Sequence, residues 1–286
     1  MFHVEPNSEE QLLASPKDNL VSGEVFQVVL DPVTQIAKTD PSPSEKELPA
    51  YYKHEAYISH GNSKQSLVEV IYGYVQELMF RQKAKWLAPF FAHESSYLDY
   101  GCGTASFVNY LDRNGVDAHG IEPNEKARNF YKETKTVVAT LSEIEKEKFS
   151  VVALWHVLEH IPTPNKLLSQ LSKKLSSSGT LIIAVPNFNS KDARRYKSDW
   201  AAYDVPRHLW HFSRDGMIGM AAKEGFICTK VRPLFFDAFY VSYLSEKHCG
   251  KKRPLLRGFF NGLYSNLHAL KTGEYSSLVY FFQKEH

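Results

Sequence analysis

Two groups of residues in this 286-residue chain have the types and spacing for chemistry. The first is a glycine turn, Asp99-Tyr100-Gly101-Cys102-Gly103-Thr104-Ala105, with Glu122 beyond it. Glycine tolerates positive φ and lets a ligand approach the main chain. An acid about 20 residues further on, at the tip of the next strand, can hydrogen-bond a ribose diol. The second group is four histidines in two stretches. One is Trp155-His156-Val157-Leu158-Glu159-His160 and the other is Arg207-His208-Leu209-Trp210-His211. Imidazole titrates near neutral pH and can serve as a general base where an acceptor must lose a proton.

Hydrophobic periodicity gives the elements that must position these residues. Residues 97–107 read as a strand, the glycine turn and the first turn of a helix. Residues 116–121 read as a second strand, ending on Glu122. Further strands are expected around Val137-Val138 and over 149–155, 181–185, 226–235 and 275–282. The run Leu181-Ile182-Ile183-Ala184-Val185 is apolar throughout, as in a parallel strand buried on both faces. Helices are expected over 64–91, 105–113 and 124–133. Two more are expected over 164–175, after Thr163-Pro164, and over 214–223, capped by Ser213. In the first of these, Leu67, Val70, Ile71, Tyr74 and Leu78 form an apolar stripe expected to lie on the sheet.

Strands alternate with helices from Tyr97 onward, which predicts a doubly wound, mostly parallel Rossmann-like sheet. Ligands bind such sheets outside the carboxyl ends of the strands, where Gly101, Glu122, Thr140, Trp155 and Asn187 fall. A cofactor would lie across the first two strands and an acceptor beyond the fourth and fifth. His208, in the loop after the fifth strand, leads as base, followed by His160 and His156.

Bulk properties exclude several classes. At 43% hydrophobic and 23% charged, the chain suits one α/β domain of about 200 residues plus additions, or two small domains. A net charge of +2 with no long basic block gives nothing that demands a nucleic-acid partner. The densest basic patch, Lys251-Lys252-Arg253 with Arg257, reads as solvated surface. Three cysteines without a C-x-x-C pair argue against disulfides and a cysteine-built zinc site, and no metal is expected. No apolar run approaches the ~20 residues of a membrane span, and the polar N-terminus is not a signal peptide. The expectation is a soluble cytoplasmic protein.

Asp99-x-Gly101-x-Gly103-x-Ala105 followed by Gly120-Ile121-Glu122-Pro123 resembles the class I S-adenosylmethionine (SAM)-dependent methyltransferases, over about residues 64–284. Ala105 replaces a usual third glycine. Ser106 stands where a nicotinamide-binding turn prefers glycine, which disfavours an oxidoreductase. The resemblance implies a seven-stranded sheet with the last strand antiparallel, SAM as cofactor and S-adenosylhomocysteine (SAH) as product. It implies cofactor contacts from Asp99, Tyr100, Gly101, Cys102, Gly103, Glu122 and Pro123, and then from Thr140, Leu141, Trp155 and His156. Substrate contacts are expected from Arg207, His211, Trp200 and Tyr57.

Residues 1–62 resemble the N-terminal arm of a branch bearing a small zinc ribbon. Here Leu30-Asp31-Pro32-Val33 stands in place of a C-x-x-C, implying a ribbon-like arm without its metal. The remaining residues, 63–286, would form the methyltransferase domain, with an amphipathic, aromatic insert over about 237–272. The expected reaction is O- or C-methylation of a small-molecule acceptor such as a sugar, nucleotide sugar or other metabolite. The Asp/Asn-Pro-Pro-aromatic motif of many base-methylating enzymes is missing after the fourth strand, so nucleic acid is disfavoured. The alternative is a methyltransferase-like scaffold or binding protein without catalysis.

Overall fold

The computed structural model describes residues 10–52, 67–91, 96–130 and 136–285. The chain opens with strands β1 (Gln11–Ala14), β2 (Gln27–Asp31) and β3 (Ile36–Asp40), and then helix α1 (Leu67–Leu87). Next come β4 (Ser96–Tyr100), α2 (Ser106–Arg113), β5 (Asp117–Ile121), α3 (Glu125–Arg128) and β6 (Val137–Val138). The middle of the chain holds β7 (Phe149–Trp155), α4 (Pro164–Lys174), β8 (Leu175–Pro186), α5 (Lys191–Tyr196) and β9 (Trp210–Phe212). It closes with α6 (Arg214–Lys223), β10 (Phe226–Pro233), α7 (Asp237–His248), α8 (Pro254–Thr272) and β11 (Ser277–Lys284).

The main sheet has seven strands in the order β10-β11-β8-β7-β4-β5-β6. β4 runs parallel to β5 and β7, β5 to β6, and β7 to β8. β11 is antiparallel to both β8 and β10, as the resemblance implies. Side chains alternate between the two faces of each strand. On one face Leu98, Val152, Leu154 and Ile183 pack with Leu168 and Leu171 of α4 and Met217 of α6. On the other, Tyr97, Val151, Ala153 and Ile182 pack with Phe107 and Leu111 of α2 and with Trp86 and Leu87 of α1.

α1 corrects the expected stripe. Tyr74 and Leu78 are exposed, at 72% and 53%. The packed residues are Phe80, Ala84 and Leu87, spaced i, i+4 and i+7, with Trp86 beside them. Phe80 stacks on Phe107 and Tyr110 of α2, and Trp86 meets Phe281 of β11. The C-terminal half of the helix thus makes these contacts, through a face rotated from the predicted one.

A second, antiparallel sheet runs β1-β2-β3-β9, so a strand from residues 210–212 completes the N-terminal arm. The turn after β2 is closed by a carboxylate. Asp31 accepts hydrogen bonds from Val33 N (2.9 Å) and Thr34 Oγ1 (2.8 Å). Asp18, 1% exposed, closes another turn by accepting from Leu20 N, Val21 N and Ser22 N. The same carboxylate accepts from Arg207 Nη2 at 3.0 Å, and Arg207 also grips Asp204 at 2.6 Å. No helix of the described residues is long and apolar enough to cross a membrane.

The α7–α8 hairpin is turned inside out. Small residues of α8, Gly258, Gly262, Ser265 and Ala269, are buried. Leu255, Leu256, Phe259, Phe260, Leu267 and Leu270 are 52–68% exposed. A Cβ on Gly258 would lie 2.5 Å from Tyr243 Cα, and one on Gly262 would lie 2.8 Å from Ala238 O and Phe239 N. The close approach of the helices therefore needs the glycines.

Gly262→Val is expected to cost about 1–3 kcal/mol through overpacking against backbone. Leu267→Asp, on the exposed face, should stay within about 0.5 kcal/mol of the parent. Urea denaturation of both variants checks the pair. Asp18→Ala removes one partner of a buried guanidinium and should cost about 3 kcal/mol or more by the same measurement.

Candidate active site

The glycine turn joins β4 to α2 with three left-handed residues, Gly101 (φ +76°), Gly103 (φ +55°) and Ala105 (φ +58°). Gly101 N and Cys102 N both donate to Ile121 O, at 2.7 and 3.0 Å, which ties the turn to the end of β5. The two glycines have different reasons to be glycine. A Cβ on Gly101 would lie 2.5 Å from Val157 Cγ2, whereas one on Gly103 would meet nothing within 4 Å. Gly101 serves packing within the protein, and Gly103 leaves an open face. Gly120 is required by Cys102, whose Sγ would be 2.6 Å from its Cβ. Burial pushes the Cys102 thiol well up, so it stays protonated.

Glu122 stands at the end of β5, as the spacing predicts. Its Oε2 accepts from Gly103 N (2.9 Å) and its Oε1 from Asn124 N (2.8 Å). The carboxylate is thereby aimed at the turn, and each oxygen keeps further acceptor capacity. Arg128 Nη1 donates to the carbonyls of Glu122 and Pro123, which fixes that corner. Thr140 and Leu141 follow β6; the Thr140 hydroxyl is tied to Glu143 at 2.7 Å.

Asp99 is 4% exposed, and its Oδ1 has no hydrogen-bond partner among the described residues. Burial pushes its carboxyl up to about 7, against the pull of Lys83 and Tyr97. Lys83 of α1 is its charged neighbour, with an ammonium lowered to about 8 by burial and supported by Asp99 and Asp237. Lys83 Nζ lies 3.9 Å from the centre of the Trp155 ring, a cation–π contact, and Trp155 Nε1 donates to Tyr97 Oη. Tyr100, at the end of β4, is half-buried.

His156 ends β7 in a left-handed conformation (φ +56°). Its Nε2 is 3.0 Å from Asp237 Oδ2 and its Nδ1 3.5 Å from Glu159 Oε1. Burial alone would lower its pKa, but Asp237 and then Glu159 hold it up at about 10. The two carboxylates thus favour the charged, hydrogen-bond-donating form of His156, which speaks against its expected role as a base.

His160 and His208 are brought together, with ring centroids 4.6 Å apart. His208, 9% exposed, bonds Ala202 O through Nδ1 at 2.9 Å. Burial and then His160 push it down to about 4, so it is neutral. His160 Nδ1 bonds Arg207 O at 3.0 Å and lies 3.1 Å from Tyr52 Oη.

Three expected substrate contacts are corrected. Arg207 is 1% exposed and bound to Asp18 and Asp204. Trp200 is 2% exposed and donates to Asp192 at 2.8 Å. His211 is 5% exposed, and its Nε2 meets Thr39 Oγ1 at 2.9 Å. The loop after β8 folds inward onto the arm sheet, so its side chains are spent on packing. Tyr57 lies outside the described residues. Sequence reading missed Lys83, Asp237 and Glu159. Lys83 had one available signal: it lies on the same helical face as Phe80, Ala84 and Leu87.

Residues 73–231 match the family described as "Methyltransferase domain". The chain belongs to the class I SAM-dependent methyltransferase family. This methyltransferase is similar to the ubiquinone biosynthesis O-methyltransferase of Methylococcus capsulatus, at 26% identity over 153 residues. The match covers 45% of this chain and 65% of that one, just under two thirds of the relative. A relative of the same description from Hahella chejuensis is 29% identical over 105 residues, covering 33% and 44%. Among solved structures, the fold is shared with magnesium protoporphyrin IX methyltransferase from Synechocystis. There the TM-score is 0.56 at 13% identity, over 85% of this chain and 100% of that one. A SAM-dependent methyltransferase from Archaeoglobus fulgidus has a TM-score of 0.50 at 20% identity, over 73% and 94%.

The two turn glycines of this methyltransferase give a test that separates packing from ligand binding. Gly103→Ala should cost only the left-handed strain of alanine, about 1–2 kcal/mol, and weaken ligand binding about tenfold. Gly101→Ala should lose more stability than Gly103→Ala, because its Cβ also meets Val157. Thermal unfolding beside SAM titration reads both quantities.

Proposed function

We propose that the chain transfers a methyl group from SAM to a hydroxyl-bearing small molecule. The observation that carries this reading is the open face at Gly103 with the held carboxylate of Glu122 beside it. The residues suit the cofactor. Glu122 has acceptor capacity left for ribose hydroxyls, and Asp99 has a buried oxygen without a partner that suits an ammonium group. Tyr100, Cys102 and Pro123 belong to the same two turns, and Trp155 walls the site beneath Lys83.

When bound, the cofactor supplies an already activated methyl group. The protein is left to align the acceptor and exclude water. Acceptor chemistry belongs to the region beyond β7. His156, charged and gripped by Asp237 and Glu159, offers N–H groups that can orient an acceptor oxygen. His160 would take the acceptor proton, with His208, whose own protonation burial opposes, holding it in place from 4.6 Å between ring centres. The description of the two curated relatives as O-methyltransferases supports oxygen as the atom methylated.

Calorimetric titration with SAM and SAH, on the parent and on Glu122→Ala, tests this reading. Loss of the carboxylate should cost roughly 1.5–3 kcal/mol, about 10- to 150-fold in affinity. Absence of binding to the parent protein would overturn the proposal.

A further inference from the structure

Glu159, His160 and His208 make up a second constellation. We propose that Glu159, His160 and His208 form a binding site for a divalent transition-metal cation of the zinc type. One donor atom from each residue lies within 4.8 Å of the others.

The hydrogen bonds around the cluster prepare it for a cation. His160 and His208 each direct Nδ1 at a main-chain carbonyl, Arg207 O and Ala202 O. A carbonyl oxygen only accepts, so an Nδ1 bonded to it carries the proton and Nε2 is the nitrogen available to a cation, the usual support for a metal-bound histidine; Tyr52 Oη shares the Nδ1 of His160 at 3.1 Å. Glu159 is 1% exposed, and neither of its carboxylate oxygens has a hydrogen-bond partner among the described residues. His156 Nδ1 stands 3.5 Å from Oε1 as an ion-pair partner, and Oε2 is left for a further ligand. Buried polar groups are rarely left so bare, and buried charges are normally paired or bound to metal. A cation among two imidazole nitrogens would satisfy the carboxylate and the lone pairs together.

The donor set selects the ion. Two imidazoles and one carboxylate suit zinc and its neighbours, whereas magnesium and calcium prefer oxygen alone. Metal–ligand bonds of about 2.0–2.2 Å would require the three side chains to draw together by roughly 1 Å. The scaffold holds them near that arrangement. Leu209 N donates to Glu159 O at 2.8 Å, and Thr39 Oγ1 donates to His208 O at 2.6 Å. Asp204 Oδ2, 4.0 Å from His208 Nε2, is the nearest further carboxylate. Three protein ligands leave a coordination position open, as in catalytic zinc sites. A hydroxyl oxygen bound there would lose its proton more readily. Ion and proton compete for the same lone pairs, so the metal-loaded cluster replaces the imidazole base with a Lewis acid.

The test uses the full chain after treatment with a chelator, titrated with Co²⁺ and followed by its visible d–d absorption. Zn²⁺ competition then gives the zinc affinity. We expect one equivalent bound with the intense bands of a four- or five-coordinate nitrogen–oxygen site. Glu159→Gln and His208→Ala should each weaken binding at least 100-fold, and His119→Gln, away from the cluster, should leave it unchanged. If the parent shows only the faint spectrum of hydrated Co²⁺, or binds no more metal than a His160→Ala/His208→Ala double variant, the site does not exist. The parent spectrum decides even if a variant fails to fold. SAM titration of the same samples keeps the two proposals apart. SAM binding without metal binding overturns only the metal site, and metal binding without SAM binding overturns only the methyl-transfer reading.

Discussion

One buried guanidinium holds the N-terminal arm to the loop before β9. Arg207 joins Asp18 of the arm to Asp204 of the loop before β9, and its Nη1 also reaches Tyr51 O. Its own carbonyl accepts from His160. The arm, the loop and the histidine cluster therefore share one fixed point. A buried charge of this kind adds little net stability, since desolvation offsets most of the attraction. Its effect is on specificity: any arrangement that separates the three groups strands a charge in the interior. That explains how a short antiparallel sheet, built from strands some 170 residues apart, stays in register.

The site that results is divided along the edge of the sheet. The ends of β4 and β5 carry the glycine turn, Asp99 and Glu122. The end of β7 carries a line of charge from Asp237 through His156 to Glu159, which leads inward to His160 and His208. Lys83 stands where the two halves meet, facing Asp99 on one side and Asp237 on the other. Among the described residues, Asp99 and Glu159 each keep a buried carboxylate oxygen without a hydrogen-bond partner.

Local patterns made the glycine turn and its acid legible in the sequence. The alternation of Tyr97-Leu98-Asp99, the glycines and the tip of β5 all act within one β-α-β unit, so spacing alone placed Glu122 beside Gly103. The histidine cluster was legible only as residue types. His160 and His208, paired in the sequence reading, lie with ring centres 4.6 Å apart. Arg207, Trp200 and His211 looked equally suited to a substrate, yet their partners, Asp18, Asp192 and Thr39, are set by tertiary packing that no local period encodes. α1 failed for a related reason. Its N-terminal stripe is apolar, but Tyr74 and Leu78 are left exposed and Phe80, Ala84 and Leu87 make the contacts. α8 reversed the usual rule altogether, because backbone proximity to α7 selected small residues for the inner face.

That reversal separates two properties which most helices couple. In an ordinary amphipathic helix, the large apolar residues both anchor the helix and vanish from the surface. Here Gly258 and Gly262 determine how closely the hairpin shuts, while Phe259, Phe260 and Leu267 determine how much greasy surface it shows to the surroundings. Phe259 belongs to both sets, because its ring also stacks on Phe239 of α7. A polar residue at Phe260 or Leu267 would therefore make the surface less adhesive without touching the glycine contacts that shut the hairpin.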